Sequence, residues 1–117
     1  MACGCGLIGS LVISPGSVSP VYSKPVSRGG ESALFSFEVL EIDSTVGFDV
    51  KIQTKKRSST TWLDLAAFAS PITTTGVHSL DMSGFEDDAR VVMASHAGSS
   101  SGNWTRVDSM NFAWRPY

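Results

Sequence analysis

The sequence predicts an all-β fold: an antiparallel β-sandwich or jelly roll preceded by an extended N-terminal arm. Apolar side chains alternate with polar ones in several short segments, which is the period of a half-buried strand. Ser, Thr, Gly and Pro separate those segments as turns. A chain of 117 residues is long enough to form one core without metals or disulfides. We therefore divide it into an arm over residues 1–30 and a sandwich over residues 31–117.

The arm is predicted from its prolines. Pro15, Pro20 and Pro25 stand among scattered Val and Gly residues, and this spacing prevents a stable helix. Short strand-like pieces in the arm are expected to pair with a sheet edge, either in this subunit or in a neighbour. The candidate interface consists of the apolar side chains of the arm: Leu7, Ile8, Leu11, Val12, Ile13, Val21, Tyr22 and Val26.

The clearest strands are expected in two consecutive segments. In residues 33–42, Phe35, Phe37 and Val39 share one face. In residues 46–53 the side chains expected to point inward are Val46, Phe48, Val50 and Ile52, and those expected to point outward are Asp49, Lys51 and Gln53. We expect these two segments to form an antiparallel pair.

Further strands are expected over residues 62–68, 77–82, 89–94 and 104–114. In the last of these, four large apolar residues have the same parity, with Arg106 and Asp108 between them: Trp104, Met110, Phe112 and Trp114. About seven or eight short strands with turns between them are typical of a sandwich or jelly roll.

The charge pattern argues against nucleic-acid and membrane partners. A net charge of −2 gives no long-range field strong enough to steer the chain toward nucleic acid or an anionic membrane. The dense basic run, residues 55–57, is expected to be a solvated hairpin tip rather than a phosphate site. No segment reaches the ~20 apolar residues that a membrane span needs. The apolar N-terminus has no basic residue before it, so we expect a protein that is not secreted.

No catalytic or metal site is expected. The available bases are His78 and His96, and the sequence has no Gly-x-Ser-x-Gly motif. The acidic run of residues 86–88 is expected to be the polar start of a strand rather than an acid/base pair. Cys3 and Cys5 cannot fill a tetrahedral zinc shell, so we expect free thiols, with a bridge or shared metal at a neighbouring subunit as the alternative. We therefore predict a non-enzyme without cofactor or metal.

The tryptophans leave one route to ligand binding open. Trp62, Trp104 and Trp114 are first expected in the core, because a small domain needs large side chains to fill its centre. If Trp62 or Trp104 is exposed, its ring becomes a candidate stacking surface for sugars. This second hypothesis is a carbohydrate-binding or adhesive β-sandwich module.

Residues 28–39 (RGGESALFSFEV), 48–54 (FDVKIQT) and 61–65 (TWLDL) resemble small β-sandwich proteins of tailed-bacteriophage particles. The resemblance lies in strand rhythm, in size and in the Gln-Thr turn that leads to Trp62, and it covers about Arg28 to Trp114. It implies a non-catalytic structural component of the virion: a capsid decoration or cementing protein, or a minor capsid protein. Such a protein would be a homo-oligomer, assembled in the host cytoplasm, that contacts the major capsid protein or other virion proteins and uses its arm for strand pairing.

Overall fold

The computed structural model describes residues 4–43, 45–98 and 102–115, and all nine regular elements in those ranges are β-strands. The strands are β1 (Gly4–Ile13), β2 (Val21–Tyr22), β3 (Val26–Ser27), β4 (Ser32–Glu41), β5 (Phe48–Lys55), β6 (Leu63–Ala67), β7 (Gly76–Ser83), β8 (Asp88–Ser95) and β9 (Thr105–Arg115). Cys3 lies outside the described residues, as do the side chains of Cys5 and Leu7.

The strands form two antiparallel sheets with one hydrophobic core between them. The four-stranded sheet has the order β1-β9-β4-β7. The five-stranded sheet has the order β2-β8-β5-β6, and β3 pairs with β8 beyond β2. The predicted fold class, an all-β antiparallel sandwich, is confirmed. The part of the chain that the structure describes contains no helix able to cross a membrane.

Phenylalanine side chains fill the centre of the core. Phe35 and Phe112 come from neighbouring strands of the four-stranded sheet, and their ring centroids lie 5.1 Å apart. Phe37 meets Phe48 of the opposite sheet at 6.3 Å. Each of these four side chains is at most 1% exposed, and full burial of such a side chain stabilises the fold by about 1.5–3 kcal/mol. The alternation seen in the sequence therefore corresponds to a real inner face on each sheet.

The predicted pairing of residues 33–42 with residues 46–53 is wrong. These segments form β4 and β5, which belong to different sheets: β4 pairs with β7 and β9, and β5 pairs with β6 and β8. Their apolar faces meet across the core instead of side by side. The short link between them crosses from one sheet to the other, and Gly47 with a φ of 70° provides its last turn.

The prediction that Trp104 shares one face with Trp114 is wrong, because β9 contains a β-bulge. Thr105 and Val107 point inward in the first half of β9, and Met110, Phe112 and Trp114 point inward in the second half. The phase changes at Ser109, which has a φ of 54° and donates its N–H to the Asp108 side chain. Trp104 therefore does not share the inner face of Trp114, and it is 50% exposed.

The predicted boundary at residue 30 does not separate an arm from the sandwich. β1 pairs with β9 of the same chain, while β2 and β3 both pair with β8 of the same chain. Most candidate interface residues with a described side chain pack against their own core: Ile8, Leu11, Ile13, Val21 and Val26. Val12 and Tyr22 are exposed. The prolines and glycines interrupt the edge strands without detaching them.

A candidate ligand-binding face on the five-stranded sheet

The outer face of the five-stranded sheet carries a cluster of aromatic, charged and amide side chains that contact one another. We call this face the platform. It consists of the outward side chains of β5 and β8, with Tyr22 of β2 and Trp62 just before β6: Asp49, Lys51, Gln53, Lys55, Arg90, Val92, Ala94, Tyr22 and Trp62. The period of two in each strand places these side chains opposite the buried ones.

Three of these residues form a cation–π arrangement, which we call the clamp: Tyr22, Arg90 and Trp62. The Cζ atom of Arg90 lies 4.1 Å from the ring centroid of Tyr22 and 4.4 Å from that of Trp62. Both distances are well within the range of cation–π attraction. The Nζ atom of Lys55 lies 5.4 Å from the Trp62 centroid, so a second cation borders the clamp.

Hydrogen bonds hold the clamp to two strands. The Arg90 Nε–H donates to Oε1 of Gln53 at 2.8 Å, and Nε2 of Gln53 donates to Oδ1 of Asp64 at 2.9 Å. The Nζ atom of Lys51 lies 3.3 Å from Oδ1 of Asp64. The amide orientation of Gln53 follows from these contacts, because its oxygen must accept from Arg90 and its nitrogen must donate to Asp64.

The pKa of the Asp64 carboxyl lies below its usual value of 3.8, chiefly because Gln53 donates a hydrogen bond to the charged form. Lys51 lowers the pKa of Asp64 further. Because the pKa of Asp64 is lower in the folded state than in the unfolded state, the ionised carboxylate stabilises the fold at pH values above the unfolded-state pKa. This stabilisation is lost as the pH falls through the folded-state pKa.

Replacing Gln53 with methionine is expected to raise the pKa of Asp64 toward 3.8, because the principal donor to its carboxylate is removed. A pH titration followed by NMR at the Asp64 side-chain carboxyl measures the change. Asp81 serves as the internal control, since the pKa of that carboxyl is lowered by Arg115 on the other sheet and should not move. An Asp64 pKa identical in the variant and the wild type would contradict the hydrogen-bond arrangement.

A shallow depression of about 350 Å³ continues the platform beside the clamp. Its apolar lining is formed by Pro20, Ala67, Phe68, Val92 and Ala94, together with Val50. Asp49 and Lys51 also line it and supply charge. A volume of this size is within the range of small-ligand sites, and an apolar surface with a few polar groups is typical of them.

The basic and acidic runs of the sequence face each other at the end of the platform. The Arg57 backbone N–H donates to Oδ2 of Asp87 at 2.9 Å, which lowers the pKa of Asp87. Asp88 lies 3.6 Å from Lys55 and 3.5 Å from the Arg57 guanidinium. Lys56 and Arg57 lie in the solvent-exposed turn at residues 56–58, as predicted for the basic run, whereas Lys55 is the last residue of β5 and its side chain is 18% exposed.

The two histidines are on different sheets. His78 stacks on Phe37 at the edge strand β7, with its Nε2 atom 3.0 Å from the carbonyl oxygen of Thr74. His96 follows β8, and its Nδ1 atom lies 3.1 Å from the Asp49 carboxylate. The side-chain hydrogen bonds of the two histidines within the described residues go to Thr74 and Asp49, not to a serine hydroxyl. The described residues also contain no group of three His, Cys, Asp or Glu side chains that could hold a metal ion.

The structure separates the two predicted stacking tryptophans. Trp62 is partly exposed and belongs to the clamp, whereas Trp104 precedes β9 of the other sheet and has no ring contact within the described residues. The sequence analysis missed Arg90 and Gln53 as site residues and assigned Tyr22 to an assembly interface. The outward alternation of β5 was the available signal for Gln53, but no spacing in the sequence indicates that Tyr22, Trp62 and Arg90 meet.

No protein-family model matches the chain, and no curated protein is similar to it in sequence. Solved structures share its fold at low identity. Chitosan-binding module 1 from a chitosanase/glucanase of Paenibacillus sp. IK-5 superposes with a TM-score of 0.54 at 9% identity, over 91% of this chain and 76% of that one.

A family 16 carbohydrate-binding module gives a TM-score of 0.54 at 10% identity, over 88% of this chain and 74% of that one. A family 29 carbohydrate-binding module gives 0.52 at 18% identity, over 97% of this chain and 75% of that one. At these identities the likeness establishes that the chain has the β-sandwich fold of these modules.

Proposed function

We propose that the protein is a carbohydrate-binding module whose platform binds a glycan chain. The observation that carries the proposal is the arrangement of aromatic rings, an apolar depression and fixed polar side chains on one sheet face. The fold likeness supports the same class, because three of the similar structures are modules named for binding carbohydrate.

The chemistry of a sugar ring suits this surface. A pyranose has apolar C–H faces that pack against aromatic or aliphatic side chains, and its rim of hydroxyl groups exchanges hydrogen bonds with amides and carboxylates. Tyr22 is 48% exposed beside the depression, so part of its ring is open to a ligand. Gln53 and Asp64 are held by their mutual hydrogen bond, which reduces the entropy that binding would cost.

The structural virion role expected from the sequence stays a prediction. It rests on a resemblance of strand rhythm, and the intramolecular pairing of β1 supplies no strand from this segment to a neighbour. The homo-oligomer, the capsid partners and the virion location belong to that same prediction. The platform carries a more specific arrangement of side chains than any feature that would support assembly.

Replacing Trp62 with alanine is expected to weaken glycan binding at least about tenfold, because a partly buried aromatic anchor in a binding surface is removed. Affinity gel electrophoresis and calorimetry against soluble cellulose, glucomannan, chitosan, polygalacturonate and alginate would measure it. Trp104→Ala is the matched control, since it removes the same side chain from the other sheet, and it should change the affinity less than about twofold. Equal losses in the two variants, or no binding to any polymer by the wild type, would refute the proposal.

A further inference from the structure

We propose that the clamp recognises the carboxylate of an acidic sugar, such as a uronic acid unit of a polysaccharide, through the two terminal nitrogens of Arg90. The inference rests on the proposed function and names the class of glycan that the platform prefers. Its basis is the Arg90 guanidinium, which is fixed in position but is not paired with a carboxylate of any residue that the structure describes.

Arg90 is held by three partners. The rings of Tyr22 and Trp62 lie within 4.1 and 4.4 Å of its Cζ atom, and Gln53 accepts the Nε–H at 2.8 Å. A guanidinium has five N–H donors, of which this arrangement uses one. Nη1 and Nη2 of Arg90 have no acceptor among the described residues, so their four N–H groups are available to a ligand.

Arg90 differs from the two lysines of the platform in that it is not paired with a carboxylate of the described residues. Lys51 is paired with Asp64 at 3.3 Å, and Lys55 is paired with Asp88 at 3.6 Å. Within the described chain, no carboxylate lies within 4 Å of the Arg90 guanidinium. Gln53 stands between Arg90 and Asp64, and its neutral amide keeps the two charges from pairing. The cation is therefore left for an anion from outside.

The geometry favours a carboxylate as that anion. The clamp rings adjoin the guanidinium and Gln53 occupies its Nε side, so an anion must approach the end that carries Nη1 and Nη2. A carboxylate can accept one hydrogen bond from each of these nitrogens in the guanidinium plane. The depression begins at Val92, two residues along the same face of β8, which is about 7 Å away. A sugar ring in the depression therefore places a neighbouring acidic group at Arg90.

The acids of the platform do not oppose this placement. Asp64 is compensated by Lys51 and by the Gln53 amide. Asp49 contacts His96 and lies four residues along β5 from Gln53, about 13 Å away. An acidic unit at the clamp would thus meet the Arg90 cation directly, while Asp64 is already compensated by Lys51 and Asp49 lies at the far end of the depression.

The test compares uronate polymers with their own neutral forms. Polygalacturonate, alginate and glucuronoxylan are each measured against the wild type before and after chemical reduction of their carboxyl groups to primary alcohols. We expect at least one uronate polymer to bind about tenfold or more tighter than its reduced form, as a charge-assisted hydrogen bond pair would give. Dextran sulfate is tested as a polymer that carries sulfate instead of carboxylate, and we expect it to bind more weakly than that uronate polymer.

Variants then locate the preference. Arg90→Gln should remove the preference, so that the acidic and the reduced form of the polymer bind this variant with equal affinity. Arg90→Lys should also lose most of the preference, because lysine lacks the paired planar donors. Arg106→Gln removes the same charge from the other sheet and should leave the preference intact. Circular dichroism melts check that each variant is folded.

Each outcome has a defined meaning. Equal binding of the acidic and reduced forms by the wild type overturns the inference but leaves the proposed function standing. A preference that survives Arg90→Gln or Arg90→Lys also overturns it, as does tighter binding of dextran sulfate, which would assign the site to sulfate. Absence of binding to every polymer, neutral or acidic, overturns the proposed function together with the inference.

Discussion

Replacing Phe112 with alanine is expected to destabilise the protein by about 3–5 kcal/mol, the usual cost of truncating a fully buried aromatic residue. Phe112 is 0% exposed, and its ring lies 5.1 Å from Phe35, 5.7 Å from Phe85 and 5.2 Å from Trp114. Neighbours of this size on an extended sheet cannot close the space, so a cavity adds to the lost transfer free energy. The free energy of unfolding in urea measures the effect.

Leu40→Ala is the control for this prediction. Leu40 lies on β4 of the same sheet but is 50% exposed on its outer face, so the substitution should cost less than about 1 kcal/mol. Globular proteins have about 5–15 kcal/mol of stability in total, so the expected loss in the Phe112 variant is a large fraction of it. A loss below that of Leu40→Ala would show that the two sheets do not share the described core.

Gly47→Ala is expected to lower the free energy of unfolding by about 2–3 kcal/mol. The added Cβ atom would be strained by the left-handed backbone and would also clash with a neighbouring carbonyl oxygen. Gly47 has a φ of 70°, and a Cβ atom added there would lie 2.6 Å from the carbonyl oxygen of Ile72. That oxygen accepts the N–H of Phe48, and Ile72 in turn donates to Phe48, so the clash disturbs the bridge that joins the two residues.

Gly98→Ala provides the comparison for Gly47. A Cβ atom at Gly98 would meet nothing within 4 Å, so that substitution should change the unfolding free energy by less than about 0.5 kcal/mol. Thermal and urea unfolding of both variants would separate a general effect of losing a glycine from the specific one at the sheet crossing. Equal costs at Gly47 and Gly98 would contradict the described turn.

Local alternation was sufficient to predict the strands but not their pairing. Residues 33–42 and 48–55 follow the period of two closely, since their inner faces carry Phe and Val side chains that only a dry interior can accept. Which strand lies beside which depends on contacts between distant residues. The sequence of the link that ends at Gly47 therefore does not indicate that β4 and β5 belong to different sheets.

Two other differences also have local physical causes. The bulge at Ser109 shifts the phase of β9, and a serine in the left-handed region is not predictable from composition. The proline-rich N-terminal region looks detached in sequence, yet Ser23 bridges its two short strands to β8 by accepting from and donating to Val91. Its pairing with its own sheets replaces the predicted arm.

The candidate site was only partly predictable for the same reason. A tryptophan such as Trp62 is recognisable as a possible stacking residue by its chemistry. Its partners come from β2, β5 and β8, which are distant in sequence, and Arg90 in isolation looks like one more exposed cation between apolar residues. The significance of Arg90 lies in the two rings and the amide around it, and these are contacts that only the folded sheet creates.

The central claim, that the platform is the ligand-binding surface, is tested most directly by an NMR titration. The ¹⁵N-labelled protein would be titrated with oligosaccharides released from the polymer that binds it best. We expect the Trp62 indole N–H, the Arg90 Nε–H and the Gln53 side-chain amide to shift together, while the Trp104 indole N–H stays in place. Shifts confined to Trp104 and the four-stranded sheet, with the Trp62 signal unchanged, would contradict the account.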